Sequence, residues 1–287
     1  ATLGGKLHPV IGILWTCDKV VSCIDKPTMQ FVNPLLKRKA FIWWNFPVSD
    51  YVRDRLLLGA VYGNGTDIDD DISAFISNPM EHAEASKIAL FSIADYAWNM
   101  DAYKSDASWR RAVRYLMPGH AAALQVFASH NSDLGGNEHD FRREESEQIR
   151  PALERLLDAY CREGKREVAA ASAVTEECER MIASADLLLA SDENPALIKE
   201  ITPWLMQFKL LGEYGREVLC MLAAQCDGKK TELEKAASHA KALQVLMKKI
   251  DATYNQNGFP PGVKTGSCHL KPAFDRLYQE VVQRTGK

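Results

Sequence analysis

The stretch Ala40-Phe41-Ile42-Trp43-Trp44-Asn45, running on into Phe46-Pro47, decides how the first third of this chain is read. It is an apolar, aromatic-rich run that ends in a polar amide and passes into a loop, which is the form of a strand in a βα unit. The form occurs twice more. Residues 10–15 end at Thr16, and residues 72–77 end at Asn78, with Pro79 as breaker. A helical pattern over 28–37, with Pro27 or Thr28 near its start, follows the first run, and a long one over about 81–98 follows the third. The second run leads into an insertion, 47–71, that carries the turn signal Gly63-Asn64-Gly65. Strands alternating with helices predict the rhythm of a βα barrel.

From about residue 105 the strand signal ends and long amphipathic helices take over. Ile201, Trp204, Leu205, Phe208, Leu211, Gly212, Gly215, Val218, Leu219 and Leu222 follow one helical face. Leu153, Leu156, Leu157 and Tyr160 do the same, as do Leu243, Leu246, Met247, Ile250 and Tyr254. Stops at Gly164, Asn194-Pro195 and Gly228 divide the region beyond 142 into a bundle of about four to five helices. The charge ladder from Arg142 to Glu147 reads as solvated bundle surface.

Composition narrows the function. With 287 residues and 46% hydrophobic content, the chain can bury one large or two ordinary cores. Its 35 basic and 38 acidic residues are interspersed, so no block creates the one-sign field that nucleic acid or an anionic membrane surface requires. Apolar runs stay far short of the roughly 20 residues of a spanning helix, and residues 1–20 show no signal-peptide pattern. The seven cysteines include no CxxC pair, and on a helix Cys220 and Cys226 point about 120° apart. Buried reduced thiols are expected.

Several motifs fail on their own chemistry. Asp67-Ile68-Asp69-Asp70-Asp71 begins like a calcium loop, but Ile72 and Asn78 stand where that loop needs glycine and glutamate. The run also precedes its strand, which puts it at the wrong end for a barrel active site. His82, His130, His139 and His269 are scattered without zinc-ligand spacing. GxSxG, the P-loop and a complete dinucleotide fingerprint are absent, so neither metal nor cofactor is expected. Asn64-Gly65-Thr66 is formally a glycosylation sequon and more simply a tight turn.

What remains are the strand ends. Thr16, Asn45 and Asn78 would converge on one mouth of a barrel, joined by Trp43 and by Asp50 just beyond the second strand. Amides and a carboxylate beside an indole suit a sugar, which offers hydroxyls at its edge and an apolar face. The competing reading is structural: Asn before Pro is a common turn former, and Trp43 and Trp44 can pack on the two faces of a buried strand.

The run Phe41-Ile42-Trp43-Trp44-Asn45-Phe46-Pro47-Val48-Ser49-Asp50-Tyr51-Val52-Arg53-Asp54 resembles the bacterial family 84 glycoside hydrolases, β-N-acetylglucosaminidases of the O-GlcNAcase type. So do Tyr62-Gly63-Asn64-Gly65, the run from Ser77-Asn78-Pro79 to Ser86-Lys87, and Ala94-Asp95-Tyr96-Ala97-Trp98-Asn99. The likeness continues through Ser129-His130-Asn131-Ser132-Asp133-Leu134-Gly135, Arg142-Arg143-Glu144-Glu145-Ser146, Glu200-Ile201-Thr202-Pro203-Trp204 and Pro261-Gly262-Val263-Lys264. One departure is Trp15-Thr16-Cys17-Asp18, where the family usually has glycine in place of Cys17.

The resemblance implies an α/β plus all-α fold: the last three βα units of a (β/α)8 TIM barrel over residues 1–104, then a helical bundle over 105–287. It implies a retaining, substrate-assisted hydrolysis of terminal β-linked GlcNAc, in which the 2-acetamido carbonyl attacks the anomeric carbon to form an oxazoline. Trp43 and Thr16 match the wall of the acetamide pocket and Val20 a position on the loop beside it. Asn45, Asp50 and Asn78 match polar groups at the sugar. The family's adjacent catalytic aspartates lie upstream of anything in this sequence, so no catalytic residue is expected here, and the chain alone is expected to be inactive. Expected partners are a GlcNAc-containing glycan or glycoprotein and the upstream half of the barrel. Export to the periplasm or cell exterior follows the bacterial relatives. The alternative is a non-catalytic GlcNAc-binding or protein-interaction module.

Overall fold

A computed structural model describes residues 2–132 and 144–285. They fall into two compact units, one built from residues up to Asp50 with Leu56–Ala121, the other from Tyr51–Arg55, Ala122–Asn131 and the residues from Glu145 on. Asp133-Leu134-Gly135, His139 and Arg142-Arg143 of the motifs above lie outside the described residues.

The first unit contains α1 (Thr2–Lys6), β1 (Leu14–Trp15), α2 (Lys26–Leu36), β2 (Ala40–Trp44), β3 (Ile72–Ser77), α3 (Ala83–Trp98) and α4 (Ser105–Leu116). The strands form a parallel sheet in the order β1-β2-β3, with Leu14 opposite Phe41, Ala40 opposite Ile72 and Trp44 opposite Ser77. Helix α2 starts where Asp25 accepts from the Thr28 backbone N–H at 3.0 Å and hydroxyl at 2.6 Å, with Pro27 in its first turn. Along β2, Ala40, Ile42 and Trp44 are buried while Phe41 and Trp43 are half-buried. The two faces thus differ, as period-2 alternation requires. Under the buried face runs an aromatic series, Phe46, Trp44, Phe75, Tyr96 and Tyr103, with successive ring centroids 5.0 to 5.8 Å apart.

The expected first strand over 10–15 is shorter in the structure. Pairing is confined to Leu14 and Trp15, and Val10 and Ile11 are exposed. The cause is Arg38, whose guanidinium donates to the carbonyls of Leu7 at 3.1 Å, His8 at 3.0 Å and Ile11 at 2.6 Å. A segment whose acceptors converge on one side chain is not extended.

The second unit holds α5 (Ala121–Ser129) from its second residue, then α6 (Arg150–Glu163), α7 (Val168–Leu189), α8 (Pro195–Cys226), α9 (Lys230–Thr253) and α10 (Leu270–Thr285). The breaks fall where the sequence places them. Gly164 and Gly228 adopt φ of 66° and 69°, and Asn194 caps α8 by accepting from the Leu197 N–H at 3.2 Å. Helix α8 is the axis of this unit, packing on α7, α9 and α10. Its Gly212 and Gly215 permit the approach: a Cβ on Gly215 would lie 2.5 Å from the Phe274 ring and 2.8 Å from the Cys178 sulfur.

Three separated motifs meet at Asp54. Its carbonyl accepts from the Trp204 indole at 2.9 Å and the Lys264 N–H at 2.7 Å, and its buried carboxylate pairs with the Lys264 ammonium at 2.6 Å. Two expectations are corrected here. Glu145 and Ser146 of the supposed surface ladder are buried, because Glu145 accepts from the N–H groups of Cys268 (2.6 Å) and His269 (3.4 Å), while Ser146 meets His130. Of the seven free cysteines, Cys220 and Cys226 are exposed, since they sit off the packed faces of α8.

Candidate functional site

Asn45 follows β2 on the face of Phe41 and Trp43, the half-buried side of the sheet. The Trp43 indole donates to Asn45 Oδ1 at 2.8 Å, and the Asn78 amide donates to the same oxygen at 3.2 Å. Asn45 Nδ2 donates in turn to the carbonyl of Val20 at 2.8 Å. Two donors on the oxygen and one acceptor opposite the nitrogen determine the amide's orientation chemically. The backbone supports the arrangement: the Asn78 N–H donates to the Trp44 carbonyl at 3.0 Å, and the Ser77 hydroxyl to the Phe46 carbonyl at 2.7 Å.

The structure therefore brings together Trp43, Asn45, Asn78 and the backbone of Val20, whose side chain is exposed. Thr16, half-buried, directly follows β1, and Asp50 lies exposed in the loop after β2. Among the described residues no hydrogen bond joins either to the amide cluster. What the arrangement offers chemically is an indole face beside one amide, Asn45, whose oxygen is filled by protein donors while one of its two N–H groups is left over, and a second amide, Asn78, whose oxygen meets no protein donor among the described residues. The exposed carboxylate of Asp50 accepts no hydrogen bond among the described residues.

The loop after β1 is held from below. Its Ser22 carbonyl accepts from the Trp44 indole at 2.9 Å, and the Ile24 N–H donates to Asn64 Oδ1 at 3.0 Å. The Gly65 N–H donates to the Ile24 carbonyl at 2.7 Å, and the Tyr96 hydroxyl to the Gly65 carbonyl at 2.5 Å. Burial raises the Tyr96 hydroxyl far above its ordinary pKa, so it remains a donor. The supporting roles of Ser22, Asn64 and Tyr96 escape a reading of the residues because Ser22 acts through its backbone carbonyl and the side chains of Asn64 and Tyr96 bond backbone groups of distant or turn residues, which carry no side-chain signature.

Cys17, at the start of this loop, has φ of 86°, a region that favours glycine. Burial raises its thiol pKa, and its hydrogen bond to Asp18 lowers that carboxyl. Asp67 to Asp71 lie at the opposite ends of the strands. Asn33 there accepts from the Ala40 N–H at 2.9 Å and donates to the Asp71 carbonyl at 2.7 Å, and Lys26 pairs with the Asp71 carboxylate at 2.7 Å. That acidic run already has its cation, whose pKa the Asp71 hydrogen bond raises.

Comparison with known proteins covers both units. Residues 1–129 match the family model described as beta-N-acetylglucosaminidase, and residues 145–278 the one described as the bacterial GH84 post-catalytic domain. Protein O-GlcNAcase of Rattus norvegicus is 36% identical over 107 residues, 37% of this chain and 12% of that protein, and the Mus musculus protein gives the same figures. The solved structure of CpGH84D superposes with a TM-score of 0.85 at 26% identity, over 97% of this chain and 46% of that one. CpGH84B gives 0.85 at 23%, over 96% and 46%. A mutant of the Thermobaculum terrenum O-GlcNAc hydrolase gives 0.77 at 22%, over 99% and 59%. The chain thus spans about half the length of these solved relatives and about an eighth of the curated ones.

Proposed function

Since the chain belongs to family 84 of the glycoside hydrolases, we propose that it supplies the sugar-binding part of a retaining β-N-acetylglucosaminidase acting on GlcNAc-bearing glycans or glycoproteins. The observation that carries this reading is the amide cluster of Trp43, Asn45 and Asn78 at the C-terminal ends of adjacent parallel strands, the end at which barrel enzymes place their chemistry. In this reading Trp43 and Thr16 wall the acetamide pocket and Val20 flanks it. Asn78 and Asp50 take the sugar hydroxyls, Asp50 through charge-assisted hydrogen bonds worth about 1.5–3 kcal/mol each. Asn45 is the post that sets Trp43 and Asn78.

The reaction is substrate-assisted. The acetamide oxygen attacks the anomeric carbon while an upstream aspartate protonates the leaving oxygen and its neighbour polarises the acetamide. The missing strands of a (β/α)8 barrel would pair at the free edges of β1 and β3, and the exposed apolar side chains of Val10, Ile11 and Leu14 around β1 support that placement. We assign residues 1–104 to the barrel and 105–287 to the helical domain, and extend the exported location of bacterial relatives to this protein.

The test is hydrolysis of a chromogenic β-N-acetylglucosaminide by the chain alone, by the chain joined to an upstream half bearing the adjacent aspartates, and by the joined Asp50→Ala variant. Activity only in the joined protein, reduced about tenfold to hundredfold in kcat/KM by Asp50→Ala, is expected. Turnover by the lone chain would overturn the placement of the acid pair. Sugar binding without any turnover in the joined protein would favour a non-catalytic module.

A further inference from the structure

The loop between β1 and α2 has two parts. Asp18, Lys19 and Val20 are exposed, while Val21, Ser22, Cys23 and Ile24 are buried. From Val20 on, every second carbonyl is held by another segment: Val20 accepts from the Asn45 amide at 2.8 Å, Ser22 from the Trp44 indole at 2.9 Å and Ile24 from the Gly65 N–H at 2.7 Å. The Ile24 N–H donates to Asn64 Oδ1 at 3.0 Å, so one turn of the insertion between β2 and β3 bonds both polar groups of Ile24. That turn comes as close as a backbone can: a Cβ on Gly65 would stand 3.3 Å from the Asp25 Cα. The Asn64 Nδ2 is buried and meets no acceptor among the described residues, so the acceptor oxygen is the atom this fold uses.

Anchors two residues apart let the segment neither slide nor swing without breaking a bond. Losing one of them shifts the balance between the fixed and a displaced position about fivefold. Asn45 sits in the candidate site and Trp44 in the core, so Asn64 is the anchor that acts only through the loop. We infer, on the glycosidase reading of this site, that Asn64 is a positioning residue for N-acyl selectivity. By holding Ile24 it fixes Val20 and the wall beside the sugar's 2-acyl group, and it never touches the sugar. A fixed wall rejects one extra methylene by about tenfold or more, and a wall that yields loses part of that discrimination.

The test compares chromogenic β-glucosaminides bearing N-acetyl and N-propionyl groups, hydrolysed by the chain joined to its upstream half as parent, Asn64→Ala and Asn64→Asp. The ratio of kcat/KM for the two substrates is the readout, because the fraction of folded enzyme cancels in it. The parent should favour N-acetyl about tenfold or more, and Asn64→Ala should narrow that ratio about fivefold. Asn64→Asp keeps an acceptor for the Ile24 N–H and should restore most of the ratio. An unchanged ratio in Asn64→Ala, whatever activity is lost, would overturn the inference and leave Asn64 a purely structural residue. So would a ratio that Asn64→Asp does not restore, or a parent indifferent to acyl length; in each of these the glycosidase reading stands. A parent that hydrolyses neither substrate would overturn that reading and the inference with it.

Discussion

Replacing Lys264 with Met isolates the energetics of the Asp54 junction. The Asp54 side chain is 2% exposed, one of its oxygens lies 2.6 Å from the Lys264 ammonium, and the other accepts no hydrogen bond among the described residues, with Arg55 Nε 3.9 Å away. Lys264→Met keeps the aliphatic stem and the backbone bond to the Asp54 carbonyl but leaves a buried carboxylate without its close cation. Breaking a buried pair from one side costs about 3–5 kcal/mol. Lys264 is 45% exposed, so solvent already screens it and can partly replace it, and we set the cost at about 2–3 kcal/mol. For a unit of this size that corresponds to a loss of about 4–12 °C in Tm. Urea unfolding should show the midpoint falling at constant m-value. Adding Asp54→Asn removes the stranded charge, so the double variant should recover about 1 kcal/mol or more relative to Lys264→Met alone. A cost below about 0.5 kcal/mol, or a double variant less stable than Lys264→Met, would refute the reasoning.

Other consequences are equally specific. At Cys17 the usual preference for Ala over Gly should invert: with φ at 86°, Cys17→Gly should be more stable than Cys17→Ala by about 1 kcal/mol in thermal unfolding. Gly215→Ala drives a methyl to 2.5 Å from the Phe274 ring and should cost about 1–3 kcal/mol in denaturant titration. Burial, with Arg180 adding to it, holds His130 down at about 3, its Nε2 2.8 Å from Glu177 and its Nδ1 2.8 Å from Ser146. Its folded pKa lies below the unfolded value of about 6.5, so this contribution is complete above that value and declines as pH falls from there toward 3. NMR of the imidazole should show a neutral ring at pH 5, and a titration near pH 6.5 would contradict the burial account.

The sequence alone determined the parts whose signals are local. The runs at 40–44 and 72–77 became strands with those bounds, because short apolar stretches ended by Asn need no distant information to be recognised. Gly164, Asn194-Pro195 and Gly228 ended or opened helices because caps and left-handed residues act within one turn. Asn45 and Asn78 were legible as strand-end residues for the same reason. Only the tertiary structure decided what they bond to: that Asn45 is held by Trp43, Asn78 and a carbonyl of the preceding loop, while among the described residues no hydrogen bond ties Thr16 or Asp50 to that cluster. It also decided that Arg38 would gather the carbonyls of the segment before β1, those of Leu7, His8 and Ile11 among them, and shorten β1, and that Glu145 and Ser146 would turn inward to buried partners. Such outcomes depend on pairings across tens to hundreds of residues. A charged or polar side chain carries no mark in sequence of whether its partner will be water or a buried group that the fold delivers.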